Sequence, residues 1–184
     1  MSKAVMLSIR PKWVEKIANG EKTIEVRKTR PRLDTPFKCY IYCTLQGCNE
    51  FFRVDLGRDV AKWNRGKWAD RKGKVIGEFT CDRIDRLAPA NEPYGIYDID
   101  DDYVLQTCLE NGALWDYGHG TPLYGWHISD LLIYDQPREL SEFRRATDPC
   151  DSCHAEYTWE CTDCKKFGGN IKRPPQSWCY VEEG

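Results

Sequence analysis

Between Ala4 and Lys28 the hydrophobic period of this chain changes twice, and single residues mark where. AVMLSI reads as a short apolar strand. Pro11 lacks the N–H that a ladder needs but suits the first turn of a helix. Trp13, Val14, Ile17 and Ala18 then recur at helical spacing as far as Gly20, where a left-handed stop is expected. From Thr23 to Lys28 the period is two: Ile24 and Val26 alternate with Thr23, Glu25 and Arg27, so Glu25 and Arg27 point the same way from a strand with one polar face. The spacing predicts a strand, a helix over Pro11–Asn19 and a second strand in immediate succession. No internal repeat extends the pattern, which excludes a solenoid.

Short elements continue downstream. After the turn-rich RPRLDTP, FKCYIYCT is a strand; Asn49 to Lys72 is polar, basic and weakly periodic, an exposed excursion; Lys74 to Leu87 is a long strand expected to bend at Gly77. Asp100 to Glu110 carries Tyr103, Val104, Cys108 and Leu109 at helical spacing behind an acidic start. YGWHISDLLIYD is a strand, PRELSEF a loop with a helical turn, and Trp178 to Val181 a last strand. Five or so strands with two short helices predict an α+β fold, a small closed mixed β-barrel that leaves no strand edge exposed. With 184 residues, 41% of them hydrophobic, the chain supports one domain and a small appendage.

That appendage is marked by cysteine spacing. MSKAVMLSIRPKW has no apolar core of signal-peptide length, and no run approaches the roughly 20 apolar residues that span a bilayer, so a cytoplasmic protein with no membrane partner is expected. In a reducing compartment ten Cys do not make a disulfide framework, and paired cysteines read first as metal ligands. CDSC and CTDC, separated by seven residues, place Cys150, Cys153, Cys161 and Cys164 where four thiolates complete a closed tetrahedral site; the cofactor expected is structural Zn, although four thiolates also suit iron. His154 and Cys179 are substitutes for one ligand. The layout that follows is a barrel over 1–147 plus 174–184, with a zinc-binding insertion at 148–173. Cys39, Cys43, Cys48, Cys81, Cys108 and Cys179 read as small buried hydrophobes.

A net charge of −2 hides an asymmetry. Met1 to Lys38 holds ten Lys or Arg against four acids, Arg58 to Lys74 seven against two, and Glu78 to Asp102 eight acids against two Arg. A polyanion would therefore meet one face of the molecule. Seven Trp add surfaces on which a base can stack, and Trp63 and Trp68 lie among the cations of the excursion.

The segment LSIRPKWVEKIANGEKTIEVRKTRP, followed by FKCYIYCT, resembles the ASCH domain of the PUA-like superfamily, through the strand, the Pro-x-Trp helix start and the run Gly20-x-Lys22-Thr23-x-Glu25-x-Arg27. GKVIGEFTCDRI, YGWHISDLLIYD and PPQSWCYV are similar to its remaining strands, and the whole is similar to ASCH proteins carried by phages and mobile elements. The resemblance implies a cleft that binds RNA, DNA or a nucleotide-like ligand. Its candidate contacts are Ser8, Arg10, Lys12, Trp13, Lys22, Thr23, Glu25, Arg27, Trp126, Gln176, Ser177 and Trp178.

The residue types agree with that expectation: Lys22 and Arg27 donate to phosphate or carbonyl oxygens, Glu25 accepts from an exocyclic amine, and Trp13, Trp126 or Trp178 offers a stacking face. The alternatives are a surface ion-pair ladder for Glu25 and Arg27, a core position for Trp13 and a satisfied barrel histidine for His127. Some members of the family are amidohydrolases acting on a modified cytidine and others ribonucleases, which makes Lys22 and Glu25 the catalytic candidates if the chain is an enzyme. Glu25 stands where the amidohydrolases carry a threonine nucleophile, a carboxylate in place of an acyl-accepting hydroxyl. Asp101, Asp102 and Glu110 are the candidates for their glutamate.

Overall fold

The computed structural model describes residues 3–45, 69–91, 95–146 and 169–183. In chain order the elements are β1 (Lys3–Ile9), α1 (Pro11–Ala18), β2 (Ile24–Arg27), β3 (Phe37–Cys43), β4 (Val75–Leu87), α2 (Asp101–Thr107), α3 (Asn111–Gly118), β5 (Leu123–Arg138), β6 (Arg144–Arg145), β7 (Gly169–Asn170) and β8 (Trp178–Glu182). Single 3-10 turns cover Ala69–Arg71 and Leu140–Glu142. Cys150, Cys153, Cys161, Cys164 and most of the basic excursion lie outside the described residues. Among the described residues no helix is long and apolar enough to cross a membrane.

Most expected elements form within a residue or two of their predicted ends. The helix expected over Asp100–Glu110 ends earlier, at Thr107, where Cys108 takes a left-handed conformation (φ 54°) as its C-cap, and a further helix that the sequence did not suggest, α3, follows from Asn111. The alternating polar face predicted for β2 is not exposed, because all four of its residues are buried.

The chain divides into two compact units. The first comprises residues 1–14, 38–78 and 132–184, with hydrogen-bonded neighbours in the order β4-β3-β1-β8-β6-β7. β1 is its centre: parallel to β3, with Val5 opposite Cys39, and antiparallel to β8, with Val5 opposite Tyr180. A strand covered on both faces must be apolar throughout, which is why Ala4, Val5, Met6 and Leu7 are all sealed from solvent. Ala4, Met6, Tyr40, Tyr42, Val75, Phe143, Ile171 and Val181 form one core cluster. Each large side chain in it contributes on the order of 1.5–3 kcal/mol.

The second unit comprises residues 15–37 and 79–131, with neighbours β2-β5-β4 and helices α2 and α3. Its core is Val26, Leu87, Tyr97, Leu114 and Leu123, flanked by Tyr103 and Trp115. Among the described residues the ladder has ends at β2 and β7, so the closed barrel expected from the sequence is instead an open mixed sheet of eight strands. Its ends are blunted by brevity: β7 is two residues long, and β2 is four, with the residue before it, Thr23, donating its N–H to Gln106 O of α2 at 3.0 Å.

Gly77 is a close approach of two backbones: a Cβ there would collide with the carbonyl oxygen of Leu132 and press on Ile133. Gly77→Ala is therefore expected to lower stability by about 1–3 kcal/mol in urea unfolding, the usual cost of overpacking. A neutral result would mean that β4 and β5 separate there freely.

Candidate functional site

Residues 20–27 carry three charges out of water within the second unit. Lys22, Glu25 and Arg27 are 2%, 6% and 8% exposed. The Lys22 ammonium donates to Ile24 O at 2.8 Å and to Thr107 O at 2.6 Å, and lies 3.3 Å from Glu25 Oε2. Glu25 turns its other oxygen, Oε1, to Arg27 Nη2 at 3.1 Å. Thr107 is the last residue of α2, so the cation also sits where the helix carbonyls leave partial negative charge. Burial pushes the Lys22 ammonium below its ordinary pKa, and the Glu25 carboxylate opposes that shift.

Register separates this cluster from what lies on the other side of β2. Ile24 stands opposite His127 and Glu25 opposite Trp126, and paired residues lean to the same face. Trp126 is wholly buried, its ring meeting Phe37 edge-on at 5.8 Å. On the face of Ile24 and His127, α2 packs through Tyr103. Gly125 admits it, since a Cβ at Gly125 would collide with the Tyr103 hydroxyl. Burial, and then the Asp85 carboxylate nearby, raises the Tyr103 pKa above its ordinary value.

Beside this helix a cavity of about 600 Å³ opens, lined by Thr23, Asp82, Arg83, Gln106, His127 and Ile128. His127 Nε2 is 2.6 Å from Asp85 Oδ2, and Arg83 Nε is 3.2 Å from Asp85 Oδ1. Gln106 donates to Asp102 Oδ2 at 2.6 Å, which holds its amide on the rim near the Thr23 hydroxyl. Cys81, on the same strand as Arg83, is kept a thiol by burial, which pushes it up to about 12.

Of the residues proposed from sequence, Lys22, Glu25 and Arg27 come together as one cluster and Thr23 opens onto the cavity. Trp126 lies opposite Glu25 in the second unit, and the others group in the first. The Ser8 hydroxyl donates to Pro175 O at 2.6 Å, its N–H donates to Ser177 O at 2.9 Å, Lys12 lies over the Trp13 ring at 4.6 Å, and Trp178 meets Tyr180 edge-on at 5.3 Å. Arg10 and Gln176 are exposed, as are Asp101, Asp102 and Glu110 of the second unit. Cys39, Cys43, Cys81 and Cys179 are buried and Cys108 is half-buried. Among the described residues no group of three or more His, Cys, Asp or Glu is placed to hold a metal ion. Sequence reasoning missed Asp82, Arg83, Asp85 and Gln106. The spacing Arg83-x-Asp85 puts two charges on one strand face, but only the β4–β5 pairing brings His127 to them.

Glu25 bridges two cations, so Glu25→Gln is expected to cost more than Lys22→Met, each on the order of 3–5 kcal/mol because a buried charge is left without its partner. In a urea double-mutant cycle, Lys22→Met with Glu25→Leu should cost less than the sum of its singles. Additive losses would mean that the two charges do not interact.

No protein-family model and no curated protein matches this chain. Among solved structures it is similar to ASCH from Zymomonas mobilis, with a TM-score of 0.57 and 16% identity over 98% of this chain and 88% of that one. It is also similar to two variants of that protein: a tyrosine-to-phenylalanine variant (TM-score 0.54, 15% identity, 99% and 92% covered) and a serine-to-alanine variant (0.54, 16%, 98% and 89%). At such identity the likeness is one of fold and extends over nearly the whole chain: this protein has the fold of the ASCH structures.

Proposed function

We propose that the protein binds single-stranded nucleic acid or a nucleotide in the cavity of its second unit. The observation that carries this reading is the position of Thr23 within the G-x-K-T-x-E-x-R run: its neighbours Lys22 and Glu25 are locked under α2 and β2, while Thr23 itself lines a cavity of about 600 Å³. That volume lies in the range of small-ligand sites, and the lining suits a nucleotide. Arg83 supplies a fork of donors for a phosphate, Asp82 and Gln106 accept from or donate to base edges, and Ile128 gives an apolar wall. Lys22 and Arg27 in this account hold β2 in place rather than touch the ligand directly. The likeness to ASCH structures and the resemblance of the motif agree with the reading.

Fluorescence anisotropy with single-stranded RNA, single-stranded DNA and free nucleotides tests it. Affinity should fall as salt rises. Arg83→Ala should weaken binding and reduce the salt slope by roughly 0.7, the increment of a single phosphate neutralised by one cation. If none of these ligands binds, a protein-interaction role takes its place.

Structural zinc at Cys150, Cys153, Cys161 and Cys164 belongs to the same proposal, resting on their spacing. Elemental analysis of purified protein should find about one zinc per chain, absent from Cys161→Ser; iron, or no metal, would overturn the assignment.

A further inference from the structure

One side chain on the cavity wall has its hydrogen-bonding direction decided by a neighbour. Gln106 ends in an amide whose oxygen accepts and whose nitrogen donates, and half a rotation of the group exchanges the two. Its Nε2 donates to Asp102 Oδ2, one turn earlier on α2, at 2.6 Å. The reverse orientation would set the amide oxygen against a carboxylate, so the charge of Asp102 leaves Oε1 as the end presented beside Thr23 on the cavity wall.

The position of that oxygen is held from the backbone. Thr23 donates its N–H to Gln106 O at 3.0 Å and accepts from Ile128 N at 2.9 Å, which binds one residue to both α2 and β5. Lys22, next to it, holds the end of α2 through Thr107 O. The Thr23 hydroxyl lies 3.5 Å from Gln106 Oε1, too far for a strong bond, so the oxygen keeps its lone pairs and the hydroxyl is able to donate elsewhere. The wall therefore offers a fixed acceptor beside a hydroxyl that turns to donate. A base edge complementary to that pair carries an exocyclic amine next to an unprotonated ring nitrogen, as adenine and cytosine do. Uracil reverses the edge, with a carbonyl oxygen in place of the amine and a hydrogen on the ring nitrogen. The hydroxyl adapts to either edge because it rotates, whereas the amide is held by Asp102. Discrimination falls on Gln106, where a carbonyl base would bring oxygen against oxygen.

We propose that Gln106, oriented by Asp102, makes the cavity of the second unit selective for the amino-bearing bases adenine and cytosine over uracil. This rests on the nucleic-acid reading of the same cavity and adds base choice to it. Gln106 contacts the base, and Asp102 is a positioning residue that does not touch it. Arg83, on the same wall, takes the phosphate, a contact that every nucleotide shares and that carries no selectivity.

Fluorescence anisotropy of the full chain with short labelled RNAs made only of cytidine, only of adenosine and only of uridine tests the assignment. Wild type should bind the cytidine and adenosine strands about 10-fold more tightly than the uridine strand. Cytidine against uridine is the decisive pair, because those bases differ only at the edge in question. Asp102→Asn, whose side chain both donates and accepts, permits Gln106 either orientation, so the cytidine-to-uridine ratio should fall to within about 2-fold. A purely structural effect on α2 would instead lower both affinities together and leave the ratio unchanged. Gln106→Leu should abolish the preference, and Gln106→Glu, which keeps an acceptor, should retain it. Equal or reversed affinity of wild type for the cytidine and uridine strands, or a preference that either Asp102→Asn or Gln106→Leu leaves intact, overturns the selectivity assignment and leaves the binding reading standing. Failure to bind any of the three strands overturns both.

Discussion

An ammonium sealed from water between two backbone carbonyls and a carboxylate is the constraint around which the second unit is arranged. Lys22 ties three things that are far apart in sequence or direction: the end of α2 through Thr107 O, the start of β2 through Ile24 O, and the Glu25 side chain that in turn faces Arg27. Burying such a charge is unfavourable unless its hydrogen bonds are made, so the cluster fixes where α2 ends relative to β2 more sharply than apolar packing would. Thr23 and Gln106 follow from it, since each lies next to a tethered residue and both line the cavity.

The opposite face of the β2–β5 ladder shows how a site is assembled from residues that carry little signal singly. Tyr103 reaches down from α2 because Gly125 has no side chain to stop it, and its ring then flanks His127. Asp85 and Arg83, two apart on β4, present both their charges to that histidine. The cluster on one face is buried and structural in its contacts, while the other borders a cavity. In this way a short motif can shape a cavity that most of its residues do not line.

The first unit offers a contrast in how polar groups are used. Ser8 spends its hydroxyl on Pro175 O, which pins the loop before β8 against β1. Glu78, Lys38 and Glu183 form an ion-pair chain, and burial, followed by the Glu78 carboxylate, raises the Tyr134 pKa. These contacts fasten strands and loops to one another, each polar group answered by a neighbour within the same unit.

Local pattern alone determines the succession of short elements from β1 to β3, because Pro11 and Gly20 leave a helix only one place to start and stop and because strand and helix periods are properties of neighbouring residues. The early end of α2 and the presence of α3 were not legible: cysteine is no signal for the left-handed turn at Cys108 that stops α2. Nor was the burial of β2. Glu25 and Arg27 alternate as a solvent face would, yet both are buried, and Glu25 meets the Lys22 ammonium beside the buried Trp126. The pairing of His127 with Asp85 belongs wholly to tertiary structure, since residues 42 apart meet only through strand register, and register is set by long-range packing that no local pattern encodes.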